Sequence, residues 1–117
     1  MPQIIVEYSA ALADVFDRRG FALAVHAQAP AMLGNDGYKT RFRPLDDVVI
    51  GDGAAENAMA HVEMGILSGR DAETRKRLSA LVLDLLGEHL RPPAHLRVQL
   101  TVEIREMDRD TYGKRVT

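Results

Sequence analysis

The C-terminal part of the chain contains a run, LRVQLTVEI, in which apolar and polar residues alternate without interruption. A period of two places successive side chains on opposite faces of a β-strand. The apolar set on one face consists of Leu96, Val98, Leu100, Val102 and Ile104. The run therefore predicts a strand with one face on the core, and the fold must be one that contains a sheet.

A leucine-rich helix is predicted directly before this strand. Asp71 is a good N-cap, and Pro92–Pro93 ends the helix. Its apolar residues recur at intervals of three and four on one face, at Leu78, Leu81, Val82, Leu85, Leu86 and Leu90. The segment AMAHVEMGIL before the helix predicts a buried strand. The second half of the chain thus has the order strand, helix, strand.

The first half of the chain predicts the same order. Residues 2–8 form a strand that is largely apolar on both faces, which is typical of a central strand. Ser9 can cap the following helix, but Gly20 interrupts it, so we expect a broken or late-starting helix. Pro30 and the GNDG stretch end this helix.

The segment between Tyr38 and Ile50 is expected to be extended. Pro44 cannot donate to a strand ladder, so an irregular or edge strand fits best. The complete order predicts one α+β domain, residues 1–117, in which two βαβ halves form a four-stranded sheet with both helices on one face. The opposite face carries some apolar residues and would be left bare. We therefore expect other copies of the chain to cover it in a homo-oligomer.

The composition excludes several classes of site and partner. Cysteine is absent, which excludes disulfides, zinc–thiolate sites and thiol nucleophiles. The four histidines lack metal-site spacing, so no metal is expected. A formal net charge of −2 gives no field for nucleic acid, and the RKR at 75–77 predicts a solvated helix face. No apolar run is long enough to cross a membrane, so the cytoplasm is the expected location.

The start of the chain, MPQIIVEYS, places a proline directly after Met1. If Met1 is removed, Pro2 carries a secondary amine, which is a base, whereas an internal proline nitrogen is an inert amide. Burial and neighbouring cations would lower the pKa of this amine from its reference value of about 8, so it would act as a general base near neutral pH. The alternative, which this position alone favours, is that Pro2 only promotes removal of Met1.

Three cationic residues are candidates for binding an anion. Arg70 directly precedes the second helix, where its guanidinium and the helix N-terminal amides could face the same anion. The alternative is a solvated arginine paired with Asp71 or Glu73. Lys39 and Arg41 alternate on the extended segment, so they point to the same side and could line one pocket.

Three other polar residues fall within predicted strands. His61 lies in the second buried strand, where a histidine is more often a satisfied core residue than a catalyst. Glu7 and Glu63 either orient Pro2 or Arg70, or pair with a neighbour for structural reasons. The sequence leaves both alternatives for the two glutamates open.

The chain resembles the 5-carboxymethyl-2-hydroxymuconate isomerase family over nearly its whole length. The resemblance is carried, in order and spacing, by MPQIIVEYS, GYKTRFR, HVEMGILSGRDAETRKRLSALVLDLLGEHL and LTVEIREMD. That family belongs to the tautomerase superfamily, in which trimers of βαβ halves use an N-terminal proline as general base. The resemblance implies a homotrimer that isomerises a small unsaturated dicarboxylate in the breakdown of homoprotocatechuate, without metal or organic cofactor.

The same resemblance implies a role for each candidate residue. Pro2 would take the proton and return it, while Arg70, Arg41 and Lys39 would bind the carboxylates and stabilise the dienolate. The family tends to have arginine at the position of Lys39. Lysine is a point charge without the planar fork of arginine, so carboxylate recognition or substrate choice differs there.

Two further functions are compatible with these residues. A relative within the superfamily, such as a decarboxylase or a hydratase-type dehalogenase of small acids, would use Pro2 protonated, as a general acid. The pKa of the Pro2 amine distinguishes this function from a tautomerase. A non-catalytic βαβ domain that binds a ligand or a partner would need no amine, and retention of Met1 would indicate it.

Overall fold

Strands and helices alternate along the chain as predicted. The computed structural model describes residues 1–34 and 37–117, so the middle of the predicted GNDG turn lies outside the described residues. The elements, in chain order, are β1 (Gln3–Ser9), a 3₁₀ helix (Ala10–Val15), α1 (Arg18–Gln28), α2 (Pro30–Leu33), β2 (Lys39–Leu45), β3 (Asn57–Leu67), α3 (Ala72–Glu88) and β4 (Arg97–Met107). None of the helices in the described part combines the length and apolar character needed to cross a membrane.

The four strands form one sheet in the order β2-β1-β3-β4. β1 runs parallel to β2, β3 runs parallel to β4, and the two central strands, β1 and β3, are antiparallel. Each parallel pair is joined through helices, which confirms the α+β architecture of two βαβ halves. The predictions that β1 and β3 are central and that β2, with its Pro44, is an edge strand are also confirmed.

A single buried cluster lies between one face of the sheet and the helices. The central strands bury their even-numbered side chains, which are Ile4, Val6, Tyr8, Ala58, Ala60, Val62, Met64 and Ile66. The helices contribute Phe21, Val25, Leu78, Val82, Leu85 and Leu86. Since a slip of one residue would turn every buried strand side chain to the opposite face, this pattern specifies the register of the sheet.

The first helix is interrupted at a different place from the predicted one. The 3₁₀ helix ends at Val15, and α1 begins after Asp17, whose side chain accepts a hydrogen bond from the Gly20 backbone N–H at 3.0 Å. A Cβ atom at Gly20 would overlap the Asp17 carboxylate. The expectation of a broken or late-starting helix is confirmed, but Gly20 lies inside the first turn of α1 and makes room for its cap, so the prediction that the break falls at Gly20 is wrong.

The face of the sheet opposite the helices, which we call the open face, is largely polar. Ion pairs cross it between Arg43 and Glu7 at 4.0 Å and between Arg105 and Glu63 at 2.9 Å. Glu7 and Glu63 thus pair with neighbouring arginines for structural reasons, which was one of the two alternatives, and do not orient Pro2 or Arg70. Apolar side chains, of which Ile5 is one, are a minority on this face.

His61 also lies on the open face. Its Nδ1 is 2.6 Å from Thr101 Oγ1, and its Nε2 is 3.9 Å from a carboxylate oxygen of Glu103. The prediction of a core histidine is therefore wrong. The physical reason is the period of the strand: Ala60 and Val62 take the buried face, so the residue between them must point to the other one.

Asp71 caps α3 as predicted. Its carboxylate accepts the Thr74 backbone N–H at 2.8 Å. Hydrogen bonds from the Thr74 side chain and from the Thr74 backbone hold the pKa of the Asp71 carboxyl below its usual value. We expect Asp71→Ala to lower the melting temperature by a few degrees at pH 7. Because the folded pKa is the lower one, the cap stabilises the protein above the unfolded pKa and is lost as the pH falls through the folded pKa.

Thermal unfolding of the Asp71→Ala and wild-type proteins between pH 2 and pH 7 tests this expectation. The exposed Asp84 lies on the same helix away from its first turn, so Asp84→Ala is the matched control. A difference between wild type and Asp71→Ala that does not shrink towards low pH would show that the carboxylate does not stabilise the helix as a cap.

Candidate active site

A cavity of about 200 Å³ lies at the end of the sheet where β3 and β4 finish. Its lining residues are Met1, Pro2, Leu33, Ile66, Leu67, Arg70 and Arg109. The lining combines an apolar wall with two guanidinium groups and with the first residues of the chain. A cavity of this composition can receive an anionic ligand whose remaining surface is apolar.

Pro2 is fixed beside this cavity by the strand that follows it. Gln3 pairs with both neighbouring strands, opposite Lys39 on β2 and Gly65 on β3. The Pro2 carbonyl accepts the Lys39 backbone N–H at 3.3 Å, and the Pro2 ring is fully buried. The start of a central strand thus holds the nitrogen of residue 2 at the margin of the core, where removal of Met1 would expose an amine to the cavity.

Arg70 reaches the cavity from the connection between β3 and α3. Its two terminal nitrogens donate to the carbonyl oxygens of Met32, at 3.2 Å, and Leu33, at 2.9 Å, at the end of α2. Asp71 instead accepts from the backbone of its own helix, so the alternative pairing of Arg70 with that residue is not what the structure shows. The side chain is held in one orientation by two carbonyls, and Arg70 is one of the residues that line the cavity.

Tyr38 adds a hydroxyl near Arg70. The hydroxyl donates to the Gly34 carbonyl oxygen at 2.7 Å. Burial raises the pKa of the Tyr38 phenol above its usual value, while the positive charge of Arg70 acts in the opposite direction. The phenol therefore stays protonated near neutral pH, and its pKa reports on the charge of Arg70.

Lys39 and Arg41 lie on the open face, away from the cavity of their own chain. Lys39 Nζ donates to the Gly37 carbonyl at 2.8 Å, and Arg41 Nη1 donates to Gln3 Oε1 at 2.9 Å. The two cations do share one side of β2, as their spacing requires, but the structure does not bring them together with Arg70 within one chain. Their role in binding substrate stays a prediction.

Arg109 lies in the cavity and was not among the residues selected from the sequence. Its backbone N–H donates to Ser68 Oγ at 3.1 Å, and its Nε donates to the Ser68 carbonyl at 2.9 Å. The strand order could have indicated Arg109 as a site residue. Parallel strands end at the same edge of a sheet, and here Leu67 at the end of β3 pairs with Met107 at the end of β4. Residues that follow these two strand ends, Arg70 and Arg109, therefore meet.

A larger groove on the described surface has a different character. A groove of about 570 Å³ lies between α1 and β2, where His26 Nε2 is 2.9 Å from Thr40 Oγ1. Burial lowers the pKa of His26, so this histidine is neutral near pH 7. The groove does not include Pro2, so we place the candidate site at the smaller cavity. Within residues 1–34 and 37–117, no three histidine, aspartate or glutamate side chains are arranged to hold a metal ion.

Comparison with known proteins gives a family match over almost the whole chain. The model of the family described as CHMI, 5-carboxymethyl-2-hydroxymuconate isomerase, matches residues 2–116. No curated protein matches the sequence.

Several solved structures share the fold. A 5-carboxymethyl-2-hydroxymuconate isomerase from Deinococcus radiodurans R1 superposes with a TM-score of 0.82 at 22% identity, over 99% of this chain and 90% of that one. A 5-carboxymethyl-2-hydroxymuconate delta-isomerase gives 0.74 at 21% identity, over 100% and 89% of the two chains. A fused 4-OT wild-type symmetric trimer gives 0.73 at 13% identity, over 96% and 92%. At these identities the likeness shows the fold.

Proposed function

The chain belongs to the 5-carboxymethyl-2-hydroxymuconate isomerase family, and from that premise we propose that the cavity beside Pro2 is its active site. The protein is an isomerase of the keto–enol tautomerase type. One observation carries the proposed location: the start of the chain meets two guanidinium groups in one cavity. The substrate is a small unsaturated compound with at least two carboxylates. The compound in the family name has two on its muconate chain and a third on its carboxymethyl branch.

The proposed reaction moves one proton and loses no atom. The mature Pro2 nitrogen accepts the proton of the enol hydroxyl and returns it to a carbon of the conjugated chain. Between these two transfers, negative charge spreads along the chain as a dienolate. Fixed positive charge lowers the energy of such an intermediate, and most of all in a partly desolvated cavity. Arg70 supplies fixed charge of this kind.

The surroundings of Pro2 are those that a neutral amine requires. Its ring is buried, and the guanidinium groups of Arg70 and Arg109 line the same cavity. Burial and positive neighbours both disfavour the protonated amine, so they lower its pKa from about 8. The base is active when unprotonated. We therefore expect kcat/KM to fall as the pH drops through this lowered pKa.

Lys39 and Arg41 fit the proposal through assembly. Because both lie on the open face, they can contribute to an active site only if the open face of one chain meets the cavity of another. We propose a homotrimer, which the fold shared with a fused 4-OT symmetric trimer supports. Native mass spectrometry should give three times the mass of one chain. A monomer that is fully active would remove Lys39 and Arg41 from the site.

The experiment that tests the function is an ultraviolet assay with 5-carboxymethyl-2-hydroxymuconate. The protein should be shown by intact mass to have lost Met1. Rapid isomerisation that declines on protonation of a single group supports the proposal. Failure of correctly processed protein to isomerise this compound would reject it as substrate. A role in the breakdown of homoprotocatechuate and a cytoplasmic location stay predictions.

A further inference from the structure

Arg109 is held in a fixed position by the connection between β3 and α3. Both its backbone N–H and its side-chain Nε donate to Ser68, at 3.1 Å and 2.9 Å. The guanidinium also lies against Gly69: a Cβ atom built there would be 3.8 Å from Arg109 Nη2. Gly69 has a φ of +116°, a conformation that residues with side chains rarely adopt, so the turn itself favours glycine. Ser68 and Gly69 together orient the guanidinium plane.

The two guanidinium groups of the cavity differ in the hydrogen bonds that they have left. Arg70 uses one N–H of each terminal nitrogen on the carbonyls of Met32 and Leu33. Arg109 uses only its Nε, and in the described part of the chain its terminal nitrogens make no hydrogen bond and no ion pair. Among residues 1–34 and 37–117, therefore, no group occupies the outer edge of the Arg109 guanidinium, which has two parallel N–H groups.

A free guanidinium edge on a fixed stem has a well-defined chemical preference. Two parallel N–H groups match the two oxygens of a carboxylate, and the charge strengthens both hydrogen bonds. The acidic neighbour Asp108 forms no ion pair with Arg109 in the described part of the chain, and its carboxylate accepts from the Asp110 backbone N–H at 3.0 Å. An anion in the cavity would thus find its bidentate partner at Arg109.

We propose that Arg109 binds a second carboxylate of the substrate, distinct from the group that Arg70 stabilises, and so selects di- and tricarboxylates over monocarboxylates. The inference rests on the proposed function, because it takes the cavity beside Pro2 as the place where substrate binds. Arg109 follows β4 and Arg70 follows β3, so the parallel ends of two strands set the spacing between the two cations. The pairing of β3 with β4 thus determines the selectivity for a second carboxylate.

The test uses two compounds that differ only by the distal carboxylate, 2-hydroxymuconate and 2-hydroxypenta-2,4-dienoate. For Arg109→Gln we expect kcat/KM on the dicarboxylate to fall about 10- to 100-fold, mainly through KM, as for the loss of a charge-assisted hydrogen-bonded pair. On the monocarboxylate, the kcat/KM of Arg109→Gln should equal that of the wild type. Arg109→Lys keeps the positive charge but lacks the planar guanidinium. Its kcat/KM on the dicarboxylate should therefore lie between those of the wild type and Arg109→Gln.

Arg77→Gln is the matched control. Arg77 lies on α3, on the side of the sheet away from the open face, and its exposed side chain makes no hydrogen bond or ion pair with the described residues. This variant changes the net charge by the same amount and should leave both rates unchanged. An equal loss on both compounds in Arg109→Gln would overturn the inference, because a residue that only supports the fold does not distinguish them.

Binding measurements separate this inference from the proposed function. Muconate and sorbate lack the enol hydroxyl, so calorimetry reports their affinity without turnover. Muconate should bind the mature wild-type protein more tightly than Arg109→Gln, and sorbate should bind both equally. A wild type that isomerises no enol while keeping this contrast refutes the activity and supports Arg109 as a carboxylate ligand. Equal muconate affinity for wild type and Arg109→Gln refutes the role of Arg109.

Discussion

Protein that retains Met1 is expected to isomerise its substrate at least about 100-fold more slowly than protein that begins at Pro2, the range that general base catalysis contributes. With Met1 attached, the nitrogen of Pro2 is an amide whose lone pair is delocalised, so it cannot accept a proton from the enol. Met1 also lines the cavity, so it occupies the space beside that nitrogen.

The two forms of the protein can be compared in one preparation. Production with the methionine aminopeptidase inhibited gives the form with Met1, and treatment with that enzyme afterwards gives the mature form. Intact mass follows the conversion, and the rate should rise in proportion to the fraction of mature chains. Full turnover by the form with Met1 would exclude the proline as the base.

The pH dependence adds a second readout of the same base. A rate that falls as the pH drops indicates an amine that works unprotonated, as a tautomerase requires. A rate that instead falls as the pH rises through a pKa near that of a free amine would indicate a protonated proline. That outcome would favour the decarboxylase or hydratase-type relatives.

Replacement of Arg70 is expected to lower kcat/KM about 100- to 1,000-fold, the usual cost of losing a group that stabilises charge developing in the transition state. Arg70→Gln removes the positive charge nearest to the carbonyls of Met32 and Leu33 and leaves those carbonyls to water. The loss of charge should also raise the pKa of the Pro2 amine, so the acid limb of the pH profile should move to higher pH. Arg70→Lys should keep that limb in place.

Tyr38 provides a readout of Arg70 that does not depend on turnover. Arg70 lowers the pKa of the Tyr38 phenol, against the larger effect of burial. Replacement of Arg70 should therefore raise the pKa of the Tyr38 phenol further, as measured by ultraviolet titration. The Tyr38→Phe variant identifies which part of the titration signal comes from Tyr38. Arg77→Gln, in which an exposed arginine of α3 is replaced, is the control for net charge. A normal rate in Arg70→Gln together with a raised Tyr38 pKa would remove Arg70 from catalysis.

Much of the fold follows from local patterns. The alternation along β4, the leucine stripe of α3 and the cap at Asp71 each depend on residues close together in sequence, and the structure agrees with them. Gly20 shows where such reasoning failed. A glycine in a helical pattern suggests a break, but here it accommodates the side chain of Asp17, three residues earlier. The preference of glycine for turns did not reveal that contact.

The site could be predicted only in part, for a related reason. A period of two showed that Lys39 and Arg41 share one side of β2, but it did not show that this side is the open face. Phe42, which follows Arg41 and packs against the core, carried the missing information. His61 was misplaced in the same way, since its neighbours in β3 occupy the buried face.

The sequence by itself determined the order of strands and helices, the buried faces of α3 and β4, and the position of Pro2 at the start of a central strand. It also indicated the family, because several segments agree with it in order and spacing. Only the tertiary structure decided which cations share a cavity with Pro2. Arg70 and Arg109 meet because Leu67 on β3 pairs with Met107 on β4. Contacts of this kind depend on strand register between segments far apart in the chain, whereas sequence periodicity describes only neighbours.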